Sequence, residues 1–320
     1  MHPVALAYES ILSPMSHKQR FGGEGQDWDS DGSQESYPTR KKAHKTRKIE
    51  RRFVGTCKAL EKDYLRLTTF PKEEDVRPLR ILKKALKHIK HKYKEEEDFE
   101  WTNEQLKSVR QDLTVQNIRN TFVIEVYEMH ARLLLENGDL NEFNQCQSMI
   151  RSLTSPSENN LEETSLRQSS QSTDEFFAYR ILYSLVQKSS ADLHDGIAYS
   201  RSTVQEEPSL PSTQHTMEVV SAVSHSNYKA FFRLYHSAPH LSAYLMDFLL
   251  NRIRNAAFSR IVVAYRPAIT VEYIQHALGF QDYEEARQFL KKNGAVFVEK
   301  NGLPISVDCK ASSIRTRCVS

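Results

Sequence analysis

Cysteines and long apolar runs are scarce in this 320-residue sequence. Its four cysteines are scattered and form no C-x-x-C pair: Cys57, Cys146, Cys309 and Cys318. No stretch approaches the roughly 18 apolar residues that a membrane-spanning helix needs, and the first residues lack the basic start of a secretory signal. We therefore expect a soluble intracellular protein with reduced thiols and no membrane association.

Sequence signatures of catalysis are also missing. There is no G-x-S-x-G, no G-x-x-x-x-G-K-S/T and no H-E-x-x-H motif. His88 and His91 are three residues apart in a helical segment, but they stand among lysines that would repel a metal cation. His236 and His240 flank Pro239, which favours a turn. The sequence therefore predicts no enzyme activity, no metal site and no cofactor.

The composition indicates a globular core diluted by polar segments, with 39% hydrophobic residues, a mean hydropathy of -0.59 and a net charge of only +3. The length allows about two domains of roughly 100–200 residues each. We predict a disordered tail with a basic run over residues 1–52, a helical-repeat region over 53–239, a winged-helix module over 240–309 and a short tail over 310–320.

Residues 40–52 form a dense basic run that follows an acidic tail rich in Ser and Gly. Such a run is typical of a nuclear-import signal or of a flexible nucleic-acid arm. A solvated linker that only keeps the chain soluble is the simpler alternative. We interpret the run as an import signal made of Arg40, Lys41, Lys42, Lys45, Arg47, Lys48, Arg51 and Arg52.

Apolar residues recur at helical spacing in the first folded region. Residues 76–94 predict an amphipathic helix with a lysine-rich outer face. Thr102 and Gln105 have the spacing of a capping box, and the long helical pattern after them ends at Asn137-Gly138, where glycine supplies a left-handed cap. Residues 139–153 return as the second helix of an αα-hairpin.

The middle of the chain alternates loops and helices. Residues 154–173 are rich in Ser and predict a loop, after which Asp174 is expected to cap a helix. Residues 206–212 predict another loop, and two closely spaced helices follow at 217–223 and 228–235. Stacked helical hairpins of this kind predict a mainly α fold, a short solenoid without a strict repeat period.

The last third of the sequence predicts three helices and a β-hairpin. The helices cover residues 251–265, 269–278 and 282–293, and residues 295–308 alternate apolar and polar positions on each side of Asn301-Gly302. That dipeptide is the strongest short hairpin signal, since a primed turn needs positive φ at both central residues. Three small helices closed by a two-stranded wing indicate a winged helix, a module that binds nucleic acid or protein.

Basic side chains, Arg252 among them, are frequent in this predicted winged helix. Lys291 and Lys292 lie near the end of its third helix, and Lys300 lies at the wing tip. The cations could contact phosphates; an ordinary solvated face, with Lys291 and Lys292 complementing the helix C-terminus, is the alternative. The predicted nucleic-acid surface consists of Arg254, Arg260, Arg266, Arg287, Lys291, Lys292 and Lys300.

Four strings in the sequence carry a family resemblance. They are KSVRQDLTVQNIRNTFVIEVYEMHARLLLENGD at residues 107–139, EFNQCQ at 142–147, EFFAYRILY at 175–183 and YKAFFRLYHSAP at 228–239. These strings resemble the SAC/GANP family of PCI-like helical scaffolds that end in a winged helix. The similarity covers roughly residues 54–309, and the Ser-rich loop at 154–173 departs from the family pattern.

The resemblance implies a non-enzymatic nuclear scaffold in messenger RNA processing or export. It also implies a PCI-type protein partner and a small acidic DSS-type protein. Base-specific readout would need Asn, Gln or Arg at the start of the recognition helix, whereas Tyr283, Glu284 and Glu285 stand there. We therefore expect weakly sequence-specific RNA binding. A subunit of a proteasome-lid, signalosome or initiation-factor type PCI complex is the alternative function.

Overall fold

The chain is built mainly from helices in the part that the computed structural model describes, which is residues 53–154, 173–206, 210–300 and 303–312. These residues belong to one compact unit. The predicted mainly α fold of stacked helical hairpins is confirmed. The α-helices of the described part are α1 (Leu79–Glu96), α2 (Phe99–Val115), α3 (Thr121–Glu136), α4 (Leu140–Thr154), α5 (Thr173–Gln187), α6 (Ser190–Glu206), α7 (Pro211–Ser224), α8 (Tyr228–His236), α9 (Ser242–Ala264), α10 (Val271–Ala277) and α11 (Tyr283–Lys292).

An extended strap, residues 53–78, precedes α1 and contains one short 3-10 turn at Glu73–Asp75. Its two ends are joined by backbone hydrogen bonds, from the Thr56 N–H to the Glu73 carbonyl at 2.7 Å and from the Cys57 N–H to the Val76 carbonyl at 3.0 Å. A Cβ atom at residue 55 would overlap the Val76 carbonyl oxygen, so this close approach requires glycine. The strap was not predicted from the sequence.

The strap lies along a polar stripe formed by α2 and its C-cap residue, Gln116. The Gln116 side-chain oxygen accepts from the Gly55 N–H at 3.2 Å, and the Gln105 oxygen accepts from the Lys62 N–H at 2.9 Å. Asp112, on the same stripe, forms salt bridges with Lys62 and Arg77 of the strap. Because a strap makes few backbone bonds with itself, these side chains supply the acceptors that its N–H groups need.

The start of α2 differs from the prediction. Asp98 is the N-cap residue, and its carboxylate accepts from the Trp101 N–H at 3.1 Å. Thr102 and Gln105 lie one turn inside α2 and are both buried, so the predicted capping box is wrong. The spacing of these two residues matches a capping box, but Gln105 faces the strap instead of the helix start.

The long helix predicted after Thr102 is in fact two helices, α2 and α3. Asn117 adopts a left-handed conformation with a φ of 48°, which asparagine tolerates better than most residues. Asn120 then caps α3 by accepting from the Val123 N–H at 3.1 Å. These two asparagines reverse the chain, and α3 packs back against α2.

The predicted αα-hairpin at Asn137-Gly138 is confirmed as α3 and α4. Gly138 has a φ of 74°, and the Asp139 carboxylate accepts from the N–H groups of Asn141 and Glu142 at 3.2 and 3.1 Å. The left-handed glycine ends α3 and the aspartate begins α4. The two helices pack along their length.

Asp174 caps a helix, but a different one from that predicted. It lies in the first turn of α5, and its carboxylate accepts from the N–H groups of Ser212 and Thr213 at 2.8 and 2.9 Å. It thereby caps α7, across 38 residues of sequence. The Ser-rich loop predicted over 154–173 lies outside the described residues, apart from its two ends.

The second close helical pair is confirmed as α7 and α8, which meet at Ser226-Asn227. Asn227 caps α8 by accepting from the Ala230 N–H at 3.1 Å. Helix α6 was not predicted, since its sequence SADLHDGIAYSRSTVQE is polar and contains Gly196. Of the loop predicted over 206–212, residues 207–209 lie outside the described part of the chain.

Helix α9 is one continuous helix that extends the predicted 251–265 helix back to Ser242. The predicted domain boundary after residue 239 falls in the loop before α9 and stays a prediction. The hydrophobic core runs from Leu82 of α1 through α9 to Val307 near the end of the described chain. Within the described part, none of the helices has both the length and the apolar character needed to cross a membrane.

A three-stranded antiparallel sheet follows α9, where a two-stranded wing was predicted. The strands are β1 (Ala268–Thr270), β2 (Phe297–Lys300) and β3 (Leu303–Asp308), in the order β1-β3-β2. Strand β1 was missed; its Ile269 is buried beside Val307, with which it pairs. The element order otherwise follows the predicted winged helix. The Asn301-Gly302 turn lies outside the described residues.

Candidate nucleic-acid interface

Helix α11 carries the exposed cations of the candidate interface. It buries Ala286 and Leu290 against the core, and its last turn presents Lys291 and Lys292 to solvent. Neither lysine has an ion-pair or hydrogen-bond partner among the residues that the structure describes. Both ammonium groups are therefore available to a phosphate, in addition to their favourable position at the helix C-terminus.

Arg287 lies one turn earlier and is shared with an acidic neighbour. Its guanidinium contacts the Glu284 carboxylate at 3.0 Å, an i,i+3 pair in which both side chains are about half exposed. Exposed pairs of this kind contribute only about 0–1 kcal/mol, so a phosphate could compete with the carboxylate. Glu284 and Glu285 occupy the first turn of α11, which disfavours a phosphate at that end.

Arg254, which was predicted to belong to the nucleic-acid surface, makes most of its contacts within the protein. Its guanidinium donates to the Leu278 carbonyl at 3.1 Å and to the Gly279 carbonyl at 2.8 Å. It also lies 3.9 Å from the centre of the Phe280 ring and pairs with Glu285 at 3.2 Å. Only 11% of the side chain is exposed, so its donors face the protein instead of solvent.

The other predicted cations do not lie on α11. Arg260 is exposed on α9 and donates to the Ser226 carbonyl at 2.7 Å, at the turn between α7 and α8. Arg266 is exposed just after α9. Lys300 ends β2, and its side chain lies outside the described part of the structure. The structure thus groups Arg287, Lys291 and Lys292 on α11, whereas Arg260 lies on α9.

Three tyrosines and a lysine form a cluster that sequence analysis did not single out. The hydroxyls of Tyr265 and Tyr273 are 2.8 Å apart, and their ring centres are 5.5 Å apart. Its hydrogen bonds with Tyr265 and with Lys229 lower the pKa of the Tyr273 hydroxyl. Tyr228 lies close enough to Lys229 and Tyr265 to influence both. No sequence spacing links these residues, because they come from α8, from the residue that follows α9 and from α10.

Two buried titratable groups of the described residues, Cys146 and His130, have pKa values that burial shifts toward the neutral form. Burial raises the pKa of the Cys146 thiol to about 11, so this sulfur is protonated and accepts a hydrogen bond from Arg110 at 2.6 Å. Burial also lowers the pKa of His130 well below its usual value. Within the described ranges, no group of three His, Cys, Asp or Glu residues could hold a metal ion.

A sequence model for the SAC3/GANP family matches residues 38–299, which is most of the chain. The chain belongs to this family. It is 39% identical over 251 residues to the THP3 homolog of Schizosaccharomyces pombe, covering 78% of this chain and 59% of the relative. It is also 39% identical over 263 residues to the Leukocyte receptor cluster member 8 homolog of Xenopus laevis, covering 82% of this chain.

The chain spans only part of the length of these relatives, 59% and 31% of the first two. Protein THP3 of Saccharomyces cerevisiae is 31% identical over 268 residues, which cover 54% of its length. The strings that carry the resemblance are largely core: in residues 107–139, Val109, Val126 and Leu134 are fully buried. The family match covers both this helical scaffold and α11, which carries the exposed cations.

Proposed function

We propose that this chain is a non-enzymatic nuclear scaffold in messenger RNA processing or export, which binds RNA and a PCI-type protein partner. Family membership supports the scaffold role and favours it over a subunit of a proteasome lid, signalosome or initiation factor. The observation that carries RNA binding is the exposed pair Lys291 and Lys292 in the last turn of α11, neither of which has a partner in the described part of the chain. The basic run at residues 40–52, proposed as the import signal, lies outside the described residues.

RNA binding through α11 is expected to be electrostatic and weakly sequence-specific. Changing Lys291 and Lys292 to Glu should weaken binding about equally for unrelated RNAs, because phosphate contacts carry no sequence information. The slope of log K against log salt should fall by about 1.4, since each lost contact with single-stranded RNA removes about 0.7 from the slope. Fluorescence anisotropy at several salt concentrations measures both quantities.

A variant with the same change in net charge provides the control. Lys84 and Lys87 are exposed on α1, and changing both to Glu should leave the salt slope nearly unchanged. Equal losses of affinity in the two double variants would mean that RNA responds to net charge alone. Loss confined to one RNA sequence would contradict weak specificity.

The proposed surface for the PCI-type partner is the apolar part of the sheet. Val296, just before β2, and Val298 on β2 are 43% and 45% exposed, and Ile305 on β3 is 43% exposed. Strand β2 is also an edge of the sheet. Exposed strand edges with apolar side chains are usually paired or covered, so a second protein would protect this edge.

Changing Val298 and Ile305 to Lys should weaken binding of the PCI-type partner about tenfold or more, because two charges would be buried at the contact. Point variants are preferable to deleting the hairpin, since β3 also pairs with β1. Co-purification with a tagged partner measures the effect.

Val263→Lys is the control, because this residue is 69% exposed on α9, outside the sheet. Full recovery of the partner by the double variant would rule out this surface.

The small acidic DSS-type protein is proposed to lie along the basic face of α1. Lys83 and Lys87 are exposed there, and they complement an acidic chain. Lys90 is partly occupied, because it pairs with Glu125 at 2.6 Å. The pair is half exposed, so an acidic partner could replace Glu125 at little cost.

A further inference from the structure

A small cavity of about 170 Å³ lies between the α7–α8 turn and α9. Its walls are mainly apolar, and Ile253 and Phe231 are buried there beside Ala257. Arg252, Arg260 and Tyr228 also line it. Polar groups next to an apolar cavity are typical of sites that take a flat or apolar group and fix it by charge.

The cations of this cavity are only partly used by the protein. One guanidinium nitrogen of Arg260 donates to the Ser226 carbonyl at 2.7 Å. This hydrogen bond fixes the position of the side chain and leaves its other N–H donors available for a ligand. Arg252 has no ion-pair or hydrogen-bond partner among the described residues. Since an arginine carries five N–H donors, the two side chains together can bind an anionic group.

The tyrosine cluster extends this surface. Tyr228 lines the cavity and also lies near Lys229 and Tyr265. A hydrogen bond with Tyr273 and the nearby hydroxyls of Tyr228 and Tyr265 raise the pKa of Lys229, which favours its charged form. The surface therefore combines three cations with three aromatic rings, and this tyrosine–arginine surface consists of Tyr228, Lys229, Arg252, Arg260, Tyr265 and Tyr273.

We propose that the tyrosine–arginine surface binds single-stranded RNA, with one base in the cavity and the adjoining phosphates on Arg252 and Arg260. Single strands are recognised by aromatic and arginine side chains that stack on splayed bases, beside cations that follow the backbone. A duplex keeps its bases stacked and paired, so none can enter the cavity. The inference rests on the proposed RNA-binding function, but it assigns a surface separate from Lys291 and Lys292.

The test compares a single-stranded 12-nucleotide RNA with the same sequence as a duplex, using the full chain and fluorescence anisotropy. Ala256→Phe fills the cavity without changing charge, and Ala256 is exposed, so the fold should tolerate it. Arg252→Ala removes the cation that makes no ion pair or hydrogen bond with the described residues. Each variant should weaken single-strand binding about tenfold and leave duplex binding unchanged. Changing Lys291 and Lys292 to Glu should weaken both.

Equal weakening of single-strand and duplex binding by Ala256→Phe would overturn the inference, and so would no effect of either variant. Loss of a protein partner's binding, with RNA binding intact, would identify the cavity as a site for an acidic peptide and would also overturn it. A wild-type chain that binds neither RNA would refute the RNA-binding function itself. The melting temperatures of Ala256→Phe and Arg252→Ala should equal that of the wild type. This control shows that any change in RNA affinity is measured on folded protein.

Discussion

Replacing Asp112 by Ala is expected to destabilise the folded chain by about 3–5 kcal/mol, the typical cost of removing one partner of a buried ion pair. The Arg77 side chain is fully buried, and its Nε donates to the Asp112 carboxylate at 2.6 Å. Its other nitrogens donate to the Leu60 carbonyl and the Ser108 hydroxyl. Without Asp112 the guanidinium would remain charged and buried, and the strap would lose its main attachment to α2.

Urea unfolding followed by circular dichroism measures this loss. Lys62→Ala is the matched control, because Lys62 contacts the same carboxylate at 2.6 Å but is 21% exposed; it should cost about 1 kcal/mol. The double variant Arg77→Met with Asp112→Leu should recover much of the stability, since it leaves no unpaired buried charge. A loss below about 1 kcal/mol for Asp112→Ala would show that the pair does not hold the strap.

The strap also shows what could not be predicted from the sequence. The apolar period predicted α1, and Gly138 predicted the α3–α4 turn. Gln105, Asp112 and Gln116 also recur at helical spacing, but polar residues on a helix are normally exposed. They are buried here because an extended segment more than 30 residues away needs hydrogen-bond acceptors. Spacing along α2 contains no information about that segment.

In the candidate site, too, some features could be predicted from the sequence and others could not. Lys291 and Lys292 could be predicted as an exposed pair, since the amphipathic pattern of α11 fixes its outer face. Arg254 could not be distinguished from them, because a basic residue in a helix gives the same signal whether it faces solvent or a carbonyl group. The role of Arg254 depends on the chain just after α10, where the carbonyl oxygens of Leu278 and Gly279 face α9 and accept its hydrogen bonds.

Arg254→Ala is therefore expected to destabilise the chain by about 2–4 kcal/mol, without changing the salt dependence of RNA binding. Each charged hydrogen bond contributes about 1.5–3 kcal/mol, and stacking on the Phe280 ring adds about 1 kcal/mol; these contributions are not fully additive. Removing the guanidinium would leave the carbonyl oxygens of Leu278 and Gly279 short of a donor and loosen α10 and α11 from α9.

Thermal unfolding and fluorescence anisotropy on the same samples distinguish a cation that stabilises the fold from one that contacts RNA. Lys291→Ala, an exposed residue, should change stability by no more than about 0.5 kcal/mol and should lower the salt slope. Arg254→Lys keeps the charge but lacks the planar fork that reaches two carbonyls at once, so it should restore little of the stability. If Arg254→Ala instead unfolds like the wild type and lowers the salt slope, Arg254 is an RNA contact. Its bonds to Leu278 and Gly279 would then be dispensable for the fold.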